Sequence, residues 1–95
     1  MNNKILINVF ISSTNQNYDI YIPVNERIIN VIKGLSKLFD ELTEANIDKT
    51  PTNHILINRD TGRQYSLEQI VIDTDIKNGT KLLFLWNALK NAFFI

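Results

Sequence analysis

His54 is the single histidine of the chain and there is no cysteine, so a zinc site or a nucleophile and base pair would have to be assembled around one imidazole. No second histidine stands at helical spacing and no Gly-x-Ser-x-Gly turn accompanies it. His54 therefore reads as the first residue of a strand. Asp73 and Asp75 offer two oxygen ligands of the kind Ca²⁺ takes, but the repeated carboxylates, glycine and closing glutamate of a calcium loop do not surround them. They read as solvated or turn-capping groups. The glycines stand apart at 34, 62 and 79, so no glycine-rich loop is available to cradle a phosphate. Arg59, Arg63, Lys77 and Lys81 are four cations that could share one end of a sheet and hold a nucleic-acid backbone. Ten basic and ten acidic side chains cancel, however, which leaves no overall field for a polyanion. The four read as a solvated rim. No catalytic, metal-binding or cofactor-binding residue emerges, and the expectation is a protein that is not an enzyme and carries no cofactor.

The elements that hold these residues are read from hydrophobic periods. Ile5, Ile7, Val9 and Ile11 fall at every second position between Lys4 and Ile11, which predicts a strand with those four inward. Ser12 to Asn17 is small and polar, suited to closing a hairpin. Tyr18 to Val24 alternates again, with Ile20, Ile22 and Val24 on one side and Asp19 and Tyr21 on the other. Pro23 has no ladder donor and restricts Ile22 to extended geometry, so the strand should end there. Asn25 is placed as an N-cap, and Ile28, Val31, Ile32, Leu35, Leu38, Phe39 and Leu42 make one apolar stripe, predicting a helix from about Glu26 to about Ala45. Gly34 interrupts it mid-helix at a cost of about 1 kcal/mol against alanine, which implies close packing or a bend.

Asn46 to Asn53 is a loop, His54 to Asn58 a third strand, Arg59 to Gly62 a tight turn and Arg63 to Ser66 a short partner strand. Leu67 to Ile76 is an irregular crossover, and Asn78-Gly79 turns the chain into a last strand, Lys81 to Trp86. That strand is apolar on both faces, the mark of a central position. Residues 86, 89, 92 and 93 are apolar at helical spacing, but so short a helix must dock to be stable. With 95 residues the chain makes one domain, burying roughly 60–65% of the surface it would expose unfolded. No apolar run approaches the roughly 20 residues that span a bilayer, and Met1 to Lys4 resembles no secretory signal. The expectation is a cytoplasmic protein that does not insert into a membrane.

The order of these elements resembles that of a β-grasp sheet, and particular residues sharpen the likeness. Ile20-x-Ile-Pro-Val-Asn-x-x-Ile-Ile-x-Val-Ile resembles the second strand and helix start of ubiquitin-like domains. Asp75-Ile76-Lys-Asn-Gly79-Thr-Lys-Leu82-x-Phe84 resembles their closing segment. Tyr18-Asp-Ile-Tyr-Ile-Pro-Val followed by a long helix is similar to the YukD/EsaB family, small bacterial ubiquitin-like proteins encoded with type VII (WXG-type) secretion systems. The resemblance spans residues 4 to 86. It implies an α+β fold in which a mixed four- to five-stranded sheet packs on one helix, a single domain over 1–95 with its core in 4–86 and a tail or short helix in 87–95.

In the register that this resemblance implies, Ile55, Ile57, Leu82 and Phe84 point to the helix. Leu56, Leu83 and Leu85 then lie outside, with Leu6 and Phe10 beside them, forming a protein-interaction patch. Either the patch is open to a partner or the C-terminal segment covers it through Leu89 and Phe93. The implied function is a non-catalytic interaction module, an accessory or regulatory component of a type VII secretion system. Its partners would be proteins, such as a membrane component of that system or a second copy of the chain, and not nucleic acid. The alternative is a carrier or modifier activated at its C-terminus; that chemistry uses a thin Gly-Gly end, whereas this sequence closes with Phe93-Phe94-Ile95, which disfavours it. An RNA-binding β-grasp domain is a third reading, set against the balanced charge.

Overall fold

The computed structural model describes residues 3–43, 47 and 49–86. Strands β1 (Lys4–Ile11) and β2 (Gln16–Pro23) form a hairpin, helix α1 (Ile28–Thr43) follows, and β3 (His54–Asn58) and β4 (Lys81–Trp86) complete a sheet in the order β2-β1-β4-β3. The β1/β4 pair is parallel and the other two are antiparallel. As its two-sided apolar composition predicts, β4 is a central strand. Asn15 takes a left-handed φ of 58°, which asparagine tolerates better than most residues. That tight turn lets β2 begin at Gln16, two residues ahead of the expected start.

The core lies between the sheet and α1. Ile7, Val9 and Ile11 of β1 turn inward, and Ile28, Val31, Ile32, Leu35 and Phe39 of α1 meet them, all buried. Phe39 is the hub: its ring stacks on Tyr18 at 5.8 Å and meets Phe84 edge-on at 5.4 Å. Such pairs add about 0.5–1.5 kcal/mol beyond simple burial.

The helix starts at Ile28 rather than near Glu26, and the expected Asn25 cap is replaced by a tertiary one. Ile28 N–H donates to the Gln69 carbonyl at 2.8 Å and Ile29 N–H to the Leu67 carbonyl at 3.0 Å. In return Val71 N–H donates to Glu26 O at 2.9 Å and Ile72 N–H to Val24 O at 2.8 Å. First-turn amides that lack intrahelical partners are thus satisfied by the crossover. The expected helix end at Ala45 and the short helix expected over 86–95 lie outside the described residues beyond Thr43 and Trp86 respectively. Gly34 is exposed, and a Cβ added there would meet nothing within 4 Å, so no close approach demands it.

After β3, Gly62 adopts φ 76° in the turn expected from Arg59 to Gly62. The Asn58 side chain closes that turn, its Oδ1 accepting from Asp60 N at 2.9 Å and Thr61 N at 3.2 Å. The strand expected over Arg63 to Ser66 reduces to a single bridge between Ile57 and Gln64, after which Tyr65 turns into the core.

Candidate functional site

Residues directly paired across neighbouring strands share a face of the sheet. Phe10 pairs with Leu83 and Leu83 with Ile57, making one row on the side away from α1; Leu85 pairs with Ile55 in the next. These five side chains are half-buried, an aliphatic and aromatic cluster open on its outer side.

Leu56, expected in this patch, is instead fully buried opposite Phe84. Ile55 and Ile57, expected inside, take its place on the outer face. The reason is that β3 turns His54, Leu56 and Asn58 inward, and two of those three are polar, so isoleucine alternation pointed the wrong way. His54 is accommodated by stacking on the Phe84 ring, centroids 4.6 Å apart and planes 20° from parallel. Asn58 is accommodated by donating from Nδ2 to Tyr65 Oη at 3.2 Å. The signal that locates these residues is Asn58 itself, two positions before the Asp60-Thr61-Gly62 turn that its side chain closes.

Leu6 does face outward, 36% exposed, but it is not contiguous with the other five. Asp19, Asn8 and Lys81 form a polar row between them, since Asn8 pairs with Asp19 on β2 and with Lys81 on β4. Arg59, whose N–H donates to the Lys81 carbonyl at 2.9 Å, extends that row. Its guanidinium lies 5.2 Å from the Phe10 ring centre, and its Nη1 donates to Asn8 Oδ1 at 3.3 Å and Asn17 Oδ1 at 3.2 Å. Asn8 Nδ2 in turn donates to Asp19 Oδ1 at 3.0 Å. The row floors a shallow groove of about 480 Å³.

The other chemistry-bearing residues serve the fold. Asp75 accepts a hydrogen bond from Tyr65, and Asp73 closes a single 3-10 turn, Val71–Asp73. Among the described residues no three His, Cys, Asp or Glu side chains are gathered as metal ligands, and no helix is long and apolar enough to cross a membrane. Arg59 and Lys81 line the same groove, whereas Lys77 lines a separate hollow with Asp60 and Asp75. The cations therefore do not form one phosphate track. A second groove, about 460 Å³, runs between β2 and α1 over Ile20, Val31, Leu35 and Leu38, with Gly34 on its wall.

The mixed four-stranded sheet packed on one helix defines the chain as a ubiquitin-like β-grasp fold. Several solved structures are similar to it. A designed protein based on ubiquitin superposes with a TM-score of 0.66 at 14% identity, over 93% of this chain and 94% of that one. Ubiquitin of Caldiarchaeum subterraneum gives 0.65 at 12% identity, over 87% and 92%. A chain of the MycP5-free ESX-5 inner membrane complex gives 0.64 at 17% identity, over 90% of this chain and 21% of that much longer one. No protein-family model and no curated protein matches the sequence.

Proposed function

We propose that the chain is a non-catalytic ubiquitin-like docking module, accessory to a bacterial type VII secretion system, which works in the cytoplasm by laying its outer sheet face on a protein partner. The observation that carries this reading is the cluster Phe10, Leu83, Leu85, Ile55 and Ile57, which is partly exposed on a sheet whose other side is already filled by α1. Contiguous exposed apolar surface marks interaction sites. The secretion setting is supported by the resemblance of Tyr18 to Val24 to YukD/EsaB proteins and by the fold shared with a chain of the ESX-5 inner membrane complex. The partner is then the soluble part of a membrane component of such a system, with a second copy of the chain as the competing occupant.

Leu83→Asp tests this. Mixed with the cytoplasmic region of the membrane component, wild-type protein should bind and the variant should not, while its thermal transition stays cooperative. Binding that survives the substitution overturns the assignment of the face. Sedimentation of wild type and variant reports whether a second copy is the occupant.

A further inference from the structure

We infer that the outer face receives an acidic and apolar protein segment, with Arg59 as the receptor for its carboxylate and Leu83, Ile57, Leu85 and Ile55 as the seat for its apolar side chains. This rests on the docking role of that face proposed above. Arg59 is an exposed residue at the end of β3, yet its guanidinium is held by three neutral groups from the facing hairpin: the Phe10 ring at 5.2 Å and the side-chain oxygens of Asn8 and Asn17. Among the described residues Arg59 forms no ion pair with a carboxylate, unlike Arg27 with Glu68 and Lys49 with Asp40.

Both side-chain bonds of Arg59 leave from Nη1. Among the described residues the Nε and Nη2 edge has no acceptor, and it is this edge that takes a carboxylate through two parallel bonds. A long cation already fixed in one rotamer loses little conformational freedom on binding, which favours its use as an anchor. Lys81, beside it on β4, adds a second positive charge. Asp19, bonded to Asn8, would repel an acid placed toward β2. A carboxylate is therefore favoured on the side of the guanidinium away from Asp19, toward the row of Phe10, Leu83 and Ile57.

The test selects displayed dodecapeptides of random sequence on the immobilised full chain in four forms: wild type, Leu83→Asp, Arg59→Gln and Arg59→Glu. Wild type should enrich peptides with Asp or Glu within about two residues of Leu, Ile or Phe, a spacing set by neighbouring rows of the sheet. These peptides should lose binding to Leu83→Asp and weaken roughly tenfold on Arg59→Gln, the factor for the loss of one charge-assisted contact. Selection on Arg59→Glu should turn to Lys and Arg while keeping the apolar residues. If peptides bind the face, as judged by loss with Leu83→Asp, but show no acidic preference or keep it on Arg59→Gln, the role of Arg59 is overturned and the docking face stands. If no selected peptide responds to Leu83→Asp, the face itself fails and both readings fall.

Discussion

Tyr65 donates its phenolic hydrogen to Asp75 Oδ1 at 2.5 Å, fastening the crossover to the core. Tyr65 Oη also accepts from Asn58 Nδ2 at 3.2 Å, and Tyr65 is only 3% exposed. Burial, and after it the bond to Asp75, pushes the phenol from its ordinary 10.0 up to about 12. A raised value means that the fold favours the neutral phenol. Its stabilisation is complete below about pH 10 and lost as the pH rises through about 12.

Denaturant unfolding followed against pH should therefore show stability falling across that alkaline window. Tyr65→Phe should remove this part of the decline and cost about 1–2 kcal/mol at neutral pH, because the buried Asn58 amide loses its acceptor. A variant as stable as wild type at pH 7 would mean that the two bonds contribute nothing net.

The inward turn of Leu56 and the outward turn of Ile57 are separable by substitution. Leu56→Ala should cost about 2–5 kcal/mol as a core truncation. Ile57→Thr, which keeps a branched Cβ on the outer face, should cost under about 1 kcal/mol. Equal losses in urea unfolding would contradict the register of β3 against β4.

Gly34→Ala should stabilise the protein. The position is helical, exposed and free of neighbours that a methyl group would strike, so the change removes about 0.5–1 kcal/mol of backbone entropy cost. For a chain of this size that is a rise of roughly 2–8 °C in Tm. An unchanged or lower Tm would show that α1 needs the glycine for a reason its surroundings do not reveal.

Asn25→Ala should be nearly silent, within about 0.5 kcal/mol, where removal of a working N-cap costs about 1 kcal/mol. The first amides of α1 are held by the Gln69 and Leu67 carbonyls instead. A loss of 1 kcal/mol or more in thermal unfolding would restore Asn25 to the capping role.

Much of the architecture was legible because it depends on local periods. The alternation of Ile7, Val9 and Ile11, the stripe from Ile28 to Phe39, the stop at Pro23 and the glycines of the two turns all act within a few residues of themselves. The placement of β4 at the centre followed from its two-sided greasiness. What was illegible depends on partners distant in the chain. A helix capped by main-chain carbonyls some forty positions away leaves no side-chain signature. The face of β3 cannot be read from alternation because His54 and Asn58 become tolerable inside only once Phe84 and Tyr65 are beside them. Of the candidate patch, Phe10, Leu83 and Leu85 lie half-buried on the outer face, Leu56 belongs to the core, and Leu6 is cut off by a polar row. The reach of Arg59 to Asn8 and Asn17 needs three strands aligned, which spacing along one segment cannot encode.

The parallel pairing of β1 with β4 joins the earliest and latest strands of the described chain. During synthesis β1 can meet β2 within moments of leaving the ribosome, but its other edge must wait until residues near Phe84 have emerged. Until then Ile7, Val9 and Ile11 lack the neighbours that β4 supplies, and the outer edge of β1 is unpaired. Long-range closure of this sort slows folding relative to helical proteins of equal length.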